Sequence, residues 1–210
     1  MPRFLHVGCG QHRKARTTAG FNTPAWDEVR LDIDPAVEPD IVGTMTDLSA
    51  VADGAFDGLF SSHNIEHLYP HEVAGALAEF RRVLAPSGFC VITCPDLQSI
   101  AALVAQDRLL EPAYASPAGP IAPLDMIFGH RPAMAAGNLY MAHRCGFTER
   151  VLVGTLRAAG FGGVASIRRE GPYFDLWAAA TVAETSSDDL RAVAMAHFPL
   201  TKPAAPSAAG

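Results

Sequence analysis

Two short stretches near the start of this 210-residue chain have the residue types and spacing to hold a nucleotide-like ligand. One is Val7-Gly8-Cys9-Gly10, directly after an apolar run. Glycines let the backbone turn sharply and let a ligand lie close against it. The other is Asp32, which ends the next apolar run and stands 22 residues after Gly10. A carboxylate at the end of a strand can accept hydrogen bonds from both hydroxyls of a ribose. A lone Gly-x-Gly is also an ordinary tight turn, and the paired Asp32 is what favours a ligand. A dinucleotide loop wants a third glycine where this chain has Arg13, so a pyrophosphate fits poorly there. S-adenosylmethionine (SAM) has no pyrophosphate and makes no such demand.

Further along, His63-Asn64-Ile65-Glu66-His67 matches H-x-x-E-H, a zinc-hydrolase pattern. That chemistry needs both histidines on one helical face and a third ligand. Here the pattern follows a strand end and precedes Pro70, leaving room for only a very short helix. No metal is expected. Glu66 and His67 are expected to cap or orient the following loop, and His63 to face a pocket. His130, Tyr140, His143 and Arg144 fall in one long insertion and form a candidate substrate site. Met126, Met134 and Met141 would line or pack an apolar lid over it.

The elements that must position these residues are short. Strands are expected at Arg3 to Val7, around Val29 to Leu31, at Ile41-Val42, Phe56 to Ser61 and Phe89 to Thr93. Such runs suit parallel strands buried on both faces. Val73, Leu77, Phe80 and Leu84 make one helical stripe, with Pro70 in its first turn and Pro86 and Gly88 stopping it. A second helix starts at Thr148 as N-cap and ends at Gly160. Val164 to Ile167 and Phe174 to Val182 read as two late strands in a hairpin, and Ser187 to His197 as a short last helix. Strands separated by helices mean right-handed βαβ units. The expected fold is α/β: a Rossmann-like, mostly parallel sheet with one antiparallel strand and helices on both faces. Residues 1–198 are expected to form one domain with an insertion at 107–145, and 199–210 a disordered tail.

Composition bounds the partners. Sixteen Lys and Arg against 22 Asp and Glu give a net charge of −6, with no dense basic run, so no nucleic-acid surface is indicated. No charged leader or long apolar stretch opens the chain, so neither a signal peptide nor a membrane span is expected. None of the four cysteines has C-x-x-C spacing, and Cys90 and Cys94 read as small buried hydrophobes. A reducing cytoplasm fits best.

Leu5 to Gly10, Leu31-Asp32-Ile33-Asp34, Asp47-Leu48, Phe56-Asp57 and Ser62 to Leu68 occur in a telling order. Glu79 to Gly88, His143 to Thr148 and Ala159-Gly160-Phe161 extend it. Over about residues 3–95 and 143–182 the chain resembles class I SAM-dependent methyltransferases, most of all the methyltransferase type 11 group. The resemblance lies in order and spacing, not in a single motif. It implies methyl transfer from SAM. Gly8, Cys9 and Gly10 would pass under the methionine part, and Asp32 would hold the ribose. Thr44 to Asp47, with Met45 and Asp47 as contacts, would flank the adenine. Ser61, Ser62 and His63 would lie near the sulfonium. Should the acceptor need to lose a proton, a histidine is the natural base: His63 first, then His143 or His130. The glycine loop is short and followed by His12-Arg13-Lys14, and the helix that often precedes the first strand is missing. The pocket is therefore expected to be more open, or closed by residues 107–145. The acceptor is expected to be a small molecule. An NAD-type oxidoreductase and a noncatalytic SAM-fold interaction module are the alternatives.

Overall fold

A computed structural model describes residues 1–199, so the tail expected to be disordered lies outside the described residues but for Pro199. The early apolar runs form β1 (Arg3–Val7), β2 (Asp27–Asp32), β3 (Ile41–Val42), β4 (Phe56–Ser62) and β5 (Leu84–Pro95), parallel wherever they pair. A separate hairpin, β6 (Tyr114–Ser116) and β7 (Gly119–Ile121), lies in the insertion. β8 (Gly163–Arg169) and β9 (Asp175–Thr181) complete the main sheet. Its order is β3-β2-β1-β4-β5-β9-β8, with only β9 reversed. The strand order reverses between β1 and β4, which is where open α/β sheets bind ligands. Register makes the placement specific. Val7 pairs with Leu31 on one side and with Ser61 on the other. Gly8, Asp32 and Ser62 therefore stand side by side along the carboxyl edge.

The helices are α1 (Val73–Val83), α2 (Leu97–Val104), α3 (Pro123–Phe128), α4 (Arg131–Ala135), α5 (Glu149–Ala158) and α6 (Ser187–His197). α1 and α5 cover one face of the sheet through Leu77, Phe80, Leu152 and Leu156, all fully buried. Each such side chain contributes about 1.5–3 kcal/mol of burial. Cys90 and Cys94 are buried on this face with Ile92, and burial pushes the Cys90 thiol up to about 12. Two boundaries differ from expectation. Pro70 precedes α1 by three residues instead of opening it, and Leu84 already belongs to β5. There Leu84 pairs with Phe56 across an irregular register before regular pairing resumes at Phe89. α2 was not expected. Asp96 caps it by accepting from the backbone N–H groups of Gln98 and Ser99.

The opposite face is covered in a less usual way. Between β1 and β2 the chain makes only a single 3-10 turn, Lys14–Arg16. The last helix, α6, fills the space together with Phe21 and Trp26. Phe21 stacks on Phe4 at 4.3 Å and on Phe89 at 5.6 Å between ring centroids. The His197 ring meets Phe21 edge-on at 4.4 Å, and its Nδ1 lies 2.6 Å from Thr18 Oγ1. Burial lowers His197 to about 4, well below the ordinary value. The unfolded chain then binds a proton between pH 6.5 and 4 that the folded chain does not, so stability falls as pH drops through that window. The loss is expected to reach about 2–3 kcal/mol at pH 4. Urea unfolding of wild type and His197→Leu at pH 7 and pH 4.5 checks this. The variant should lose markedly less stability on acidification, and equal losses would contradict the assignment.

The insertion is built, not irregular. Ile100 of α2 packs with Ile121 and Met126 in a small core of its own. Asp125, held down to about 2 chiefly by Arg131, takes two charged hydrogen bonds from that guanidinium and ties α3 to α4. The far end of the insertion docks on the turn after β4: the backbone N–H groups of Arg144 and Cys145 both donate to Glu66 O. Among the described residues no helix is long and apolar enough to cross a membrane.

Candidate functional site

Two neighbouring chambers open at the carboxyl edge of the sheet. The first has a volume of about 450 Å³ and is lined by Gly8, Gly10, Asp32, Met45, Ser62 and residues of the insertion's end. Gly8 and Gly10 have φ of +62° and +50°, in the left-handed region that glycine tolerates. A Cβ at Gly10 would meet nothing within 4 Å, so its face is open to a ligand. Asp32 is buried, and its two oxygens accept from the backbone N–H of Gly10 at 2.7 Å and of Asp34 at 3.0 Å. Each oxygen keeps a lone pair, because a carboxylate oxygen accepts about two hydrogen bonds.

Two residues hold the glycine loop. Asn64 donates from Nδ2 to Val7 O at 3.0 Å and Ser62 O at 3.0 Å, stitching the end of β1 to the end of β4. Arg30, fully buried, points its guanidinium at the backbone carbonyls of Gly10 (2.6 Å), His12 (3.1 Å), Val37 (3.1 Å) and Glu38 (2.7 Å). The basic run after the loop is thereby anchored through its own backbone. Sequence reasoning passed over Arg30, and an arginine between Val29 and Leu31 was the available signal.

The second chamber, about 270 Å³, lies beside the first. The insertion supplies Tyr114, Met126, His130 and His143 to its walls, and Tyr173 and Phe174 close one side. His63, His67 and Met141 line both chambers. His63 adopts φ +53°, a conformation side chains other than glycine rarely take. Its backbone N–H donates to Thr93 O at 2.9 Å, and its Nδ1 lies 3.3 Å from Glu66 Oε1. Burial works against a charge on His63, but Glu66 outweighs it and holds the ring above its ordinary value. Burial likewise works against a charged Glu66, and His63 with the neighbouring rings keeps it below the usual carboxylate value.

The structure brings together most of the residues singled out in the sequence. Gly8, Gly10, Asp32, Met45 and Ser62 face the first chamber, and His130 and His143 the second. Ser62 Oγ shares a hydrogen bond with Thr93 Oγ1 at 2.8 Å. Cys9 turns its side chain into the core, leaving only its backbone beside the loop. Asp47 is exposed, accepts from the backbone N–H of Ser49 at 3.0 Å, and lies off the lining, where Thr46 stands instead. The insertion also gives Asn138, Tyr140 and Arg144 to the first chamber. Arg144 stacks over the Tyr69 ring at 4.7 Å.

Comparison with known proteins agrees with this geometry. Residues 5–92 match the family described as a methyltransferase domain. No curated protein matches the chain. Among solved structures, one similar fold is the 1,6-didemethyltoxoflavin-N1-methyltransferase of Burkholderia thailandensis, with 1,6-didemethyltoxoflavin and S-adenosylhomocysteine bound. It is 20% identical, with a TM-score of 0.55 over 87% of this chain and 71% of that one. A SAM-dependent methyltransferase of Thermotoga maritima, described as a possible histamine N-methyltransferase, is 14% identical, with a TM-score of 0.56 over 87% and 82%. A protein of Pyrococcus horikoshii, PH0226, is 15% identical, with a TM-score of 0.58 over 86% and 81%.

Proposed function

We propose that this chain, a class I SAM-dependent methyltransferase by its methyltransferase domain at residues 5–92 and its sheet order, methylates a small molecule held in the second chamber. The observation that carries the reading is the junction: His63, His67 and Met141 border both chambers, which sets the two ligand spaces side by side there. The first chamber fits SAM. Its volume lies in the range of small-ligand sites, its glycine face is open, and Asp32 has lone pairs to spare for two ribose hydroxyls. Met45 and Ile33 offer apolar surface to an adenine ring.

When bound, SAM supplies a methyl group activated on a sulfonium. The protein's part is alignment, which is worth about 7–11 kcal/mol when reacting atoms are held in near-attack geometry. Residues 107–145 act as the wall that encloses the acceptor within the same domain. A chamber of about 270 Å³ suits a small molecule. The Burkholderia neighbour, which holds a small molecule beside S-adenosylhomocysteine, supports this choice. Of the three histidines expected to serve as bases, His63 is the one at the junction. Its Nδ1 rests against Glu66, which leaves Nε2 to meet the acceptor.

A screen of small-molecule acceptors, read by S-adenosylhomocysteine release, tests the reading. A turning-over acceptor should lose about 100-fold in kcat with His63→Ala at saturating substrates. Unchanged turnover would remove His63 from the chemistry. Methylation confined to macromolecular acceptors would overturn the small-molecule assignment.

A further inference from the structure

Glu66 is a buried carboxylate without a hydrogen-bond partner. It is 1% exposed, and neither oxygen accepts a hydrogen bond from the protein. His63 Nδ1 makes a loose ion-pair contact at 3.3 Å with Oε1, and the rings of His67 and His143 stand nearby. Burying a charge without full compensation costs several kcal/mol, so a buried carboxylate with one loose imidazole contact and no hydrogen bond has capacity for a further cationic partner.

The surroundings supply matching donors. His67 Nδ1 lies 3.0 Å from Ala142 O, and His143 Nδ1 lies 2.9 Å from Met126 O. A carbonyl oxygen only accepts, so each Nδ1 carries the proton and each Nε2 is left with a lone pair. Metal-binding histidines are held in this way, the second nitrogen fixed by a carbonyl or carboxylate. One oxygen of Glu66 and one ring nitrogen each of His67 and His143 lie within 4.8 Å of one another. With bonds of about 2.0–2.2 Å, two donors on one tetrahedral ion stand about 3.4 Å apart. Ring rotations that move the donor nitrogens by about 1 Å bring all three onto a single ion.

We propose that Glu66, His67 and His143 form a binding site for one divalent first-row transition ion, zinc by donor type, at the floor of the second chamber. Two imidazoles and a carboxylate suit zinc, cobalt or ferrous iron far better than magnesium or calcium, which prefer oxygen. The H-x-x-E-H pattern contributes through its Glu and second His only. The ligand that sequence could not supply is His143, 76 residues beyond His67. The insertion delivers it when Arg144 and Cys145 dock on Glu66 O. Three protein donors leave a coordination position open, and all three residues line the second chamber. Resting on the acceptor-chamber reading above, that position would take an oxygen of the acceptor, which places a hydroxyl or carboxylate on the acceptor beside the methylated atom.

The test uses tag-free protein stripped with a chelator and titrated with Co²⁺, with Zn²⁺ in competition. The expected result is one Co²⁺ per chain with visible ligand-field bands, displaced by Zn²⁺. Glu66→Gln and His143→Ala should each weaken binding at least tenfold. Affinity for S-adenosylhomocysteine, measured on the same samples, reports that the fold is intact, and the near-isosteric Glu66→Gln carries the test should His143→Ala fail to fold. No Co²⁺ or Zn²⁺ binding by protein that still binds S-adenosylhomocysteine would overturn the site. So would unchanged metal affinity in folded variants. Metal binding without any binding of S-adenosylhomocysteine would uphold the metal site and sink the cofactor reading.

Discussion

Asp32→Ala should lose at least 100-fold in affinity for S-adenosylhomocysteine. The carboxylate closes β2 directly opposite the glycine loop, and its register is set by the Val7–Leu31 pair. A ribose placed there would give it two charged hydrogen bonds, each worth about 1.5–3 kcal/mol. A tenfold change in affinity is about 1.4 kcal/mol, so even the lower end of the pair exceeds a hundredfold. The variant also strands the backbone N–H groups of Gly10 and Asp34, which Asp32 now accepts. Thermal stability should therefore fall modestly while binding falls sharply. Calorimetric titration separates the two effects. Affinity within threefold of wild type in the folded variant would mean that the ribose is not held at Asp32.

The two loop glycines should respond differently to the same substitution. A Cβ at Gly8 would fall inside the Asn64 side-chain amide, which is itself fixed to Val7 O and Ser62 O. Asn64 can yield only by giving up both of those hydrogen bonds. Gly8→Ala should cost about 3 kcal/mol or more, combining left-handed backbone strain of about 1–2 kcal/mol with the clash. At Gly10 the Cβ would project into open space, leaving only the backbone strain. Gly10→Ala should therefore unfold within about 2 kcal/mol of wild type. Its affinity for S-adenosylhomocysteine should fall well beyond what that loss explains, because the added methyl occupies ligand space. Chemical denaturation and calorimetry on both variants check the contrast, and equal stability losses would refute it.

Much of this was legible before any coordinates. The apolar runs placed β1 to β4 nearly to the residue, because short strands flanked by glycine, proline and acidic turns leave little freedom. The alanine-rich Phe174 to Val182 run became β9, and its hairpin with β8 supplied the single reversed strand. Family resemblance, more than residue physics, pointed to SAM, and the match at residues 5–92 agrees with it. Long-range packing was what the sequence hid. Nothing local announces that α6 replaces a β1–β2 helix, since the contact between Thr18 and His197 spans 179 residues. The cap of α2 at Asp96 was masked by Pro95, which reads as the end of a strand and conceals the start of a helix. In the site, the expectation that Glu66 merely orients a loop failed to foresee its burial. The third donor beside it comes from an insertion whose docking no pattern encodes. Cys9 and Asp47 were chosen by position along the chain, and in the structure the Cys9 side chain is buried while that of Asp47 turns outward to accept from the backbone N–H of Ser49.

The central claim is that the first chamber holds SAM and the second its acceptor, with His63 between them. A crystal structure of the chain with S-adenosylhomocysteine tests it most directly. The account predicts the ribose hydroxyls on Asp32, the adenine between Ile33 and Met45, and the thioether sulfur at the Ser62–His63 end, facing the second chamber. A sulfur pointing away from His63, or a ligand lodged outside the first chamber, would contradict it.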